Sequence, residues 1–509
     1  MKNKITSFPW HAFLAAVFPA LFFYRKNFYQ LELPVILKTA FICLLVSSMF
    51  FMILRWRRLP AVKSGLLITL SVFFFFSYGA FFEIWSNGVI GPLSLFLNVT
   101  GREEFTYYAK LVSHFLLLAA AWGIYVCLFI RILRSSKSLD VWNAALNFSV
   151  FCLIILNLFP IGYDAWTLGP KKAGVAEIPS FPPQAAGTKT QYPDIYYIIL
   201  DGFCRDDMMR KYYEVRDSGF IDTLEHDGFY VAKESRSNYS ETILSLPSSL
   251  NMKYLDGDER TLAAGTRDDR VYAGMIQNNF VMRYLKSKGY LTVHFGSVWS
   301  ATMSNPFADM QVVYRKGFFR DEFNRAFFGM TMLLAAESFF SRDVAETHLY
   351  NFEMLAKIPR VHSPKFVFAH FLLPHSPYVF GRMGNIRERV PAHAIWHEDT
   401  NLYNDAPAYR NQAIAASRFA CAAIRDILKN SKTPPVILLQ ADHGINLITD
   451  GPERIAIRHA ILNAYYFPDG DYSRLYPGIS PVNSFRVLFN KYFDGHFKLL
   501  EDTITYTFG

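Results

Sequence analysis

Residues 10–24, 33–54, 64–85, 111–133 and 141–163 of this 509-residue chain are apolar. Most of these stretches approach the ~20 residues that a helix needs to cross hydrocarbon. In lipid, backbone N–H and C=O groups must bond within their own segment or a closed barrel. The five stretches therefore predict five helical spans. The first is the shortest and contains Pro19. A cleaved signal peptide is its alternative reading, although no small-residue cleavage site precedes Tyr24.

Basic residues set the orientation. The 54–63 connection carries Arg55, Arg57, Arg58 and Lys63, and the 131–140 connection carries Arg131, Arg134 and Lys137. Both read as cytoplasmic by the positive-inside rule. The 86–110 connection is mixed in charge, holds Gly and Pro, and reads as outward-facing. Its aromatic residues (Trp85, Phe96, Phe105, Tyr107, Tyr108) suit a membrane interface. An odd number of spans then starts inside and places everything after about residue 165 outside the cytoplasm, as expected for a multi-pass protein of a bacterial inner membrane. The net charge of +9 is spent largely on this flanking pattern, so no nucleic-acid partner is expected. Charged residues within the spans are nearly absent, Lys38 and His114 excepted, which disfavours a transporter.

Residues 167–193 are rich in Pro, Gly and Ala and read as a linker between a five-helix domain, 1–166, and a second domain, 194–509. In that second domain the pattern changes. DIYYIIL (194–200), YLTVHF (290–295), KFVFAHF (365–371) and PVILLQA (435–441) are continuous apolar runs, as in buried parallel strands. Helical stretches such as 275–288 and 408–430 separate them. The alternation predicts a doubly wound α/β/α domain. Of the five cysteines, Cys204 and Cys421 stand alone in this half. Without a CxxC they offer two free thiols or a single bridge, not a zinc knuckle.

Ligands of such sheets bind beyond the carboxyl ends of the strands. Three predicted strands end on metal-ligating residue types: Asp201-Gly202, His370 with His375 five residues on, and Asp442-His443-Gly444. Each is unremarkable alone, since Asp-Gly after a strand is ordinarily a turn. Together, at successive strand ends, they are oxygen and nitrogen donors for a divalent cation. A hydroxyl-rich stretch, RSNYSETILSLPSSLNMKYL (236–255), lies between the first two. A helix starting near Thr242 would aim its N-terminus at an anion, with Pro247 tolerated only near that start. The alternative is that Ser240 or Thr242 simply caps a helix.

PDIYYIILDGF, the hydroxyl-bearing segment, HFLLPHSPY and LLQADHGI together resemble the alkaline phosphatase/sulfatase superfamily. The resemblance is to its membrane-bound branch of phosphoethanolamine transferases and lipoteichoic acid synthases, which share five helices followed by an outward-facing catalytic domain. In motif it covers 193–468. Thr242-Ile243-Leu244-Ser245-Leu246-Pro247 matches a Thr-x-x-Ser-x-Pro pattern whose Thr is the nucleophile. The resemblance implies that Asp201, Thr242, Asp442 and His443 hold one metal ion, Zn or Mn. It also implies that His370 and His375 contact the transferred group or a second ion. His459 is offered as a further catalytic histidine or a surface one. The chain departs from the transferases in Asp201 where Glu is frequent, in the missing flanking cysteines, and in Ile445-Asn446 after Asp-His-Gly. SPVNSFRVLFNKYF near the C-terminus matches nothing with a role.

The implied function is transfer of a phosphoethanolamine- or phosphoglycerol-like head group from a membrane lipid to an envelope glycan or lipid, through a phosphothreonine. The alternatives are a membrane-tethered hydrolase, phosphodiesterase or sulfatase, and an inactive envelope assembly protein. Ser245-Leu246-Pro247 begins a sulfatase pattern, but position 249 is Ser where the maturation Arg is required.

Overall fold

The computed structural model describes residues 8–28, 33–90, 104–168, 192–215, 219–257, 267–316, 322–362, 364–387, 406–445 and 452–506, with the single positions 31, 93 and 262. Residues 169–191 of the predicted 167–193 linker and Phe96 lie outside the described residues, as does Asn446. The chain divides into two compact units. One comprises 1–171 with 325–337, and the other the remainder.

The first unit contains helices α1 (His11–Lys26), α2 (Leu33–Trp56), α3 (Ala61–Trp85), α4 (Glu104–Arg134) and α5 (Asp140–Leu168). Among the described residues, four helices are long and apolar enough to cross a membrane. The fifth, α1, has 16 residues, about 24 Å at 1.5 Å per residue, short of a ~30 Å hydrocarbon core. It is fixed by a polar cluster instead. His11 Nδ1 lies 2.6 Å from Thr69 Oγ1 and Nε2 lies 3.2 Å from Asn143 Oδ1, while Asn147 Oδ1 accepts from the His11 backbone N–H. His11, inside the first apolar stretch, is therefore a further polar exception beside Lys38 and His114, as are Glu83 and Arg131 near the ends of theirs. Polar groups in such a unit are paired inward: His114 stacks on Phe82 with centroids 3.6 Å apart and bonds Tyr78.

Residues 325–337 belong to this unit although their neighbours in sequence do not. Phe327 packs on Phe23 and Phe76, and Leu334 joins Tyr78 and Phe82. Met330 O accepts from the Gly79 N–H at 3.1 Å.

Among its described residues, the second unit is built on seven strands: β1 (Ile195–Leu200), β2 (Tyr230–Val231), β3 (Leu291–Phe295), β4 (Met310–Val312), β5 (Lys365–Phe371), β6 (Val436–Gln440) and β7 (Asn463–Tyr466). Their order is β2-β7-β6-β1-β5-β3-β4. β6, β1, β5, β3 and β4 run parallel, β7 is antiparallel to β6, and β2 is antiparallel to β7. All six β1 residues are buried because alternate side chains enter different cores. Tyr196, Ile198 and Leu200 face a layer that includes helices Phe340–Lys357 and Ala406–Asn430. Ile195, Tyr197 and Ile199 face helices Thr242–Asn251, Phe280–Ser287 and Pro481–Tyr492. This is the two-sided burial that parallel sheets require.

The predicted helix 275–288 is broken in two. Asp269–Gln277 ends at Asn278, and Asn279 starts Phe280–Ser287 with its side chain accepting from Met282 N. Asparagine favours such caps over helix interiors. Pro247 is also not confined to the start of its helix; it is the sixth of ten residues. The unexplained C-terminal stretch forms Pro481–Tyr492, where Arg486 Nε donates to Met252 O at the end of the Thr242–Asn251 helix. All five cysteines are free.

Candidate active site

β1 lies between β5 and β6, so the carboxyl ends of three parallel strands stand side by side, where ligands of such sheets bind. Asp201 follows β1 directly. Its N–H donates to Phe371 O at 2.9 Å and its carbonyl accepts from His375 N at 3.0 Å, which ties β1 to the end of β5. Asp442 and His443 follow β6. Gly202 takes φ +72° and donates its N–H to Asp442 Oδ1 at 3.1 Å. A Cβ at Gly444 would collide with the carbonyl oxygen of Ile457 and crowd those of Arg458 and Ala460. Glycine is therefore required where this loop presses on its neighbour.

Asp201, Asp442 and His443 converge. One ligand atom from each lies within 4.8 Å of the others, and all three residues are buried. His443 Nε2 is 3.5 Å from Asp201 Oδ1 and 3.3 Å from Asp442 Oδ2. Neither of those carboxylate oxygens has a hydrogen-bond partner, which is costly for buried groups. His443 Nδ1 donates to Gly444 O at 2.8 Å, so its proton sits there and the Nε2 lone pair faces the carboxylates. That is how a metal-binding imidazole is held. The donor set and its orphaned oxygens fit a divalent cation.

Thr242 is the first residue of its helix, and the capping position is Glu241, whose side chain makes no cap bond. Thr242 Oγ1 instead lies 2.9 Å from His443 Nε2. Glu241 pairs with the buried Arg267, which also holds Asp269 at 2.7 Å. Ser245 points elsewhere, its hydroxyl donating to Asp442 O at 2.6 Å. Arg458 Nε donates to Ser240 O at 2.6 Å and its Nη1 to Gly444 O at 2.7 Å. One guanidinium thus clamps the hydroxyl segment to the ligand loop.

His370 Nε2 is 3.3 Å from Asp201 Oδ2. The His375 and His443 rings lie 6.5 Å apart. Gln412, fully buried, donates to the carbonyls of Pro374, His375 and Pro377 and so fixes the turn carrying His375. Burial alone would raise the Asp201 carboxyl; His375, His370 and His443 more than offset it and hold it below the usual carboxylate range. His443 is pushed down by burial and by Arg458. His459 is buried, not a surface residue. Its Nδ1 donates to Ser237 O at 2.8 Å, and burial holds its pKa down at about 4. The structure brings together Asp201, Thr242, His370, His375, Asp442 and His443, and sets His459 behind the hydroxyl segment at Ser237. Arg458, Gln412 and Arg267 carry no sequence signal, because their partners are backbone carbonyls or distant carboxylates.

No family model and no curated protein matches the chain. Among solved structures it resembles phosphoethanolamine transferases and the alkaline phosphatase superfamily. The lipooligosaccharide phosphoethanolamine transferase A of Neisseria meningitidis, an integral membrane protein, is 13% identical with a TM-score of 0.37; the match covers 90% of this chain and 88% of that one. The C-terminal periplasmic domain of EptC from Escherichia coli is 14% identical with a TM-score of 0.40, over 62% of this chain and 86% of that one. An alkaline phosphatase superfamily protein from Vibrio parahaemolyticus is 12% identical with a TM-score of 0.38, over 59% and 66%.

Proposed function

We propose that this membrane protein is a metal-dependent phosphotransferase of the cell envelope that uses Thr242 as nucleophile. The observation that carries the reading is the placement of Thr242 Oγ1 at 2.9 Å from His443 Nε2, beside the unsatisfied carboxylate oxygens of Asp201 and Asp442. Asp201, Asp442, His443 and Thr242 would hold one divalent cation, Zn²⁺ or Mn²⁺. Such an ion supplies a lowered hydroxyl pKa and positive charge against the charge that develops in transfer.

Thr242 presents its oxygen from a helix N-terminus, whose positive end favours an anionic phosphodiester. With the His443 Nε2 lone pair given to the cation, the Thr242 proton would pass to water. Attack forms the Thr242 O–P bond while the bond to the lipid alcohol breaks on the opposite side, leaving a phosphothreonine. His370, in β5, and His375, held by the turn that Gln412 fixes, line the side where the transferred group's oxygens gather charge. An acceptor hydroxyl of an envelope glycan or lipid then takes the group. Four long apolar helices in the same chain support a lipid donor. The motif resemblance over residues 193–468 supports a phosphoethanolamine- or phosphoglycerol-like head group and a catalytic domain outside the cytoplasm. Ser245 is engaged with Asp442 O, which speaks against a sulfatase-type nucleophile at that position.

Mass spectrometry of the intact protein after exposure to membrane phospholipid tests this. The expected result is a covalent phospho-adduct on Thr242 whose mass names the head group. An adduct on Ser245 would overturn the assignment, and none on any residue would leave a direct hydrolase.

A further inference from the structure

SPVNSFRVLFNKYF takes no part in the proposed chemistry, yet its helix, Pro481–Tyr492, carries a polar stripe beside its apolar face. Ser480, Asn483, Arg486 and Asn490 stand three or four residues apart, so they share one face. All four bond the irregular segment 497–505, in reverse order. Asn490 Nδ2 donates to Phe497 O at 2.8 Å, Arg486 Nη1 to Lys498 O at 2.6 Å and Asn483 Nδ2 to Leu500 O at 2.8 Å. Asp502 Oδ1 accepts from Ser480 N and Asn483 Nδ2, each at 2.9 Å, and its Oδ2 from the Tyr476 hydroxyl at 2.6 Å. Ser480 and Asn483 are 2% and 0% exposed. Polar side chains are buried so deeply when they are paired, and the segment supplies the partners.

The same segment reaches both flanks of the helix that presents Thr242. Before that helix stands Asn238, 1% exposed. Its side-chain amide donates to Thr503 O and Ser480 Oγ, both at 3.0 Å, and its Oδ1 accepts from Val482 N at 3.0 Å. The Asn238 carbonyl accepts from Thr505 N at 2.8 Å. After the helix stands Tyr254, whose hydroxyl donates to Glu501 O and accepts from Thr503 N at 3.1 Å. Asp201, Asp442 and His443 are carried by β1 and β6 instead. The anchoring is thus divided. Strands hold the ligand residues, and 497–505 holds the helix that brings Thr242 Oγ1 to 2.9 Å from His443 Nε2.

A reacting group misplaced by about 1 Å can cost on the order of 100-fold in rate. Resting on the phosphotransferase reading, we infer that 497–505 is a strap that positions Thr242 for attack, with Asp502 and Asn238 as its positioning residues. They act through the two flanks of the Thr242–Asn251 helix. Sequence offers no hint of this, because Asn238 and Thr503 are 265 residues apart.

Asp502→Ala in the full-length protein removes the strap's central bonds and provides the direct test. Hydrogen exchange is expected to quicken over 497–506 and over 238–255 together, with β1 and β6 unchanged. Faster exchange over 497–506 alone overturns the inference whatever the enzyme catalyses. Turnover of bis(4-nitrophenyl) phosphate gives the second readout. Asp502→Ala is expected to lower kcat by about 10–100-fold, the cost of a displaced nucleophile, with KM and bound metal unchanged. Asp502→Asn keeps an acceptor for Ser480 and Asn483 and should restore most of it. Unchanged kcat in Asp502→Ala, or a loss of bound metal there, overturns the inference. In a Thr242→Ala background Asp502→Ala should add nothing, since Asp502 acts through Thr242; multiplying losses would reduce the strap to a packing role. If Asp502→Ala fails to fold, Tyr254→Phe must produce the same kcat-only loss, smaller in size, because it removes only the hydroxyl that meets Glu501 and Thr503. Unchanged kcat there overturns the inference. Wild-type protein with no Thr242-dependent turnover counts against the phosphotransferase reading, and the exchange pattern still decides whether the strap holds the helix.

Discussion

The two units of this chain sort their side chains in opposite directions. In the first, Phe41, Phe115 and Phe159 are 62–73% exposed, while His11, Ser64 and Asn143 are buried. In the second, Tyr196, Phe295 and Phe371 are at most 1% exposed, and charge lies largely on the surface. One rule produces both patterns. Apolar surface leaves water wherever it can, and in the first unit the outer helix faces are themselves meant for an apolar solvent. Buried polarity also differs in kind. The His11 cluster is saturated by Thr69, Asn143 and Asn147, whereas the cluster at Asp201 and Asp442 is left with unsatisfied oxygens. Saturated polarity holds helices together; unsatisfied polarity is a site for something to bind.

The largest contrast to test is compartment. If the two units face different solvents as the Lys and Arg pattern proposes, a C-terminal alkaline phosphatase fusion is active and a fluorescent reporter that folds only in the cytoplasm is dark. The reverse would break the orientation outright.

Next come the unsatisfied oxygens. Asp442→Ala and His443→Ala are each expected to lose bound metal, measured by elemental mass spectrometry, together with turnover. The missing ligand weakens binding and leaves the cation's charge less compensated. Stoichiometric metal in both variants would place the ion elsewhere. His11→Leu, by contrast, should leave metal content untouched, because its cluster is already complete.

Thr242→Ala is expected to lower turnover on the order of 10³-fold or more, as loss of a nucleophile does, with little change in thermal stability, since Thr242 occupies no cap. Thr242→Ser should keep partial activity. Ser245→Ala should be milder: it removes one hydrogen bond, worth about 0.5–1.5 kcal/mol. That is at most roughly a tenfold change if all of it fell on the rate. Full activity in Thr242→Ala would reverse the roles of the two hydroxyls.

What could be read from the sequence follows the same division. The long spans and β1, β3, β5 and β6 are continuous apolar runs, and burial on both faces writes itself into such runs. β2, β4 and β7 have two to four residues at the antiparallel or outer positions of the sheet, too short to leave a pattern. Asp201, Asp442 and His443 stood out because they follow strands; Asn238, Arg458 and Gln412 did not, because backbone carbonyls and hydroxyls have no residue signature. The segment 325–337 was read with the second domain. Nothing in its composition says that its partners are Phe23, Phe76 and Gly79 in the first unit.

That segment provides the finest test, because glycines in one unit should respond with opposite signs. A Cβ at Gly79 would collide with the Gly329 carbonyl oxygen and approach Met330 Cα to 2.7 Å. These are backbone atoms that cannot rotate away. Gly79→Ala must push the segment off α3 and should destabilise the unit by about 1–3 kcal/mol, the usual range for overpacking. Gly123 in α4 and Gly162 in α5 have nothing within 4 Å of the same position. There alanine adds no clash and removes glycine's conformational freedom, so Gly123→Ala and Gly162→Ala should stabilise by roughly 0.5–1 kcal/mol. Thermal unfolding in detergent gives the signs, and hydrogen exchange over 325–337 locates the Gly79→Ala effect. Destabilisation of equal size at all three positions would mean that the outer faces of α4 and α5 meet protein, not lipid. A neutral Gly79→Ala would detach 325–337 from the helices.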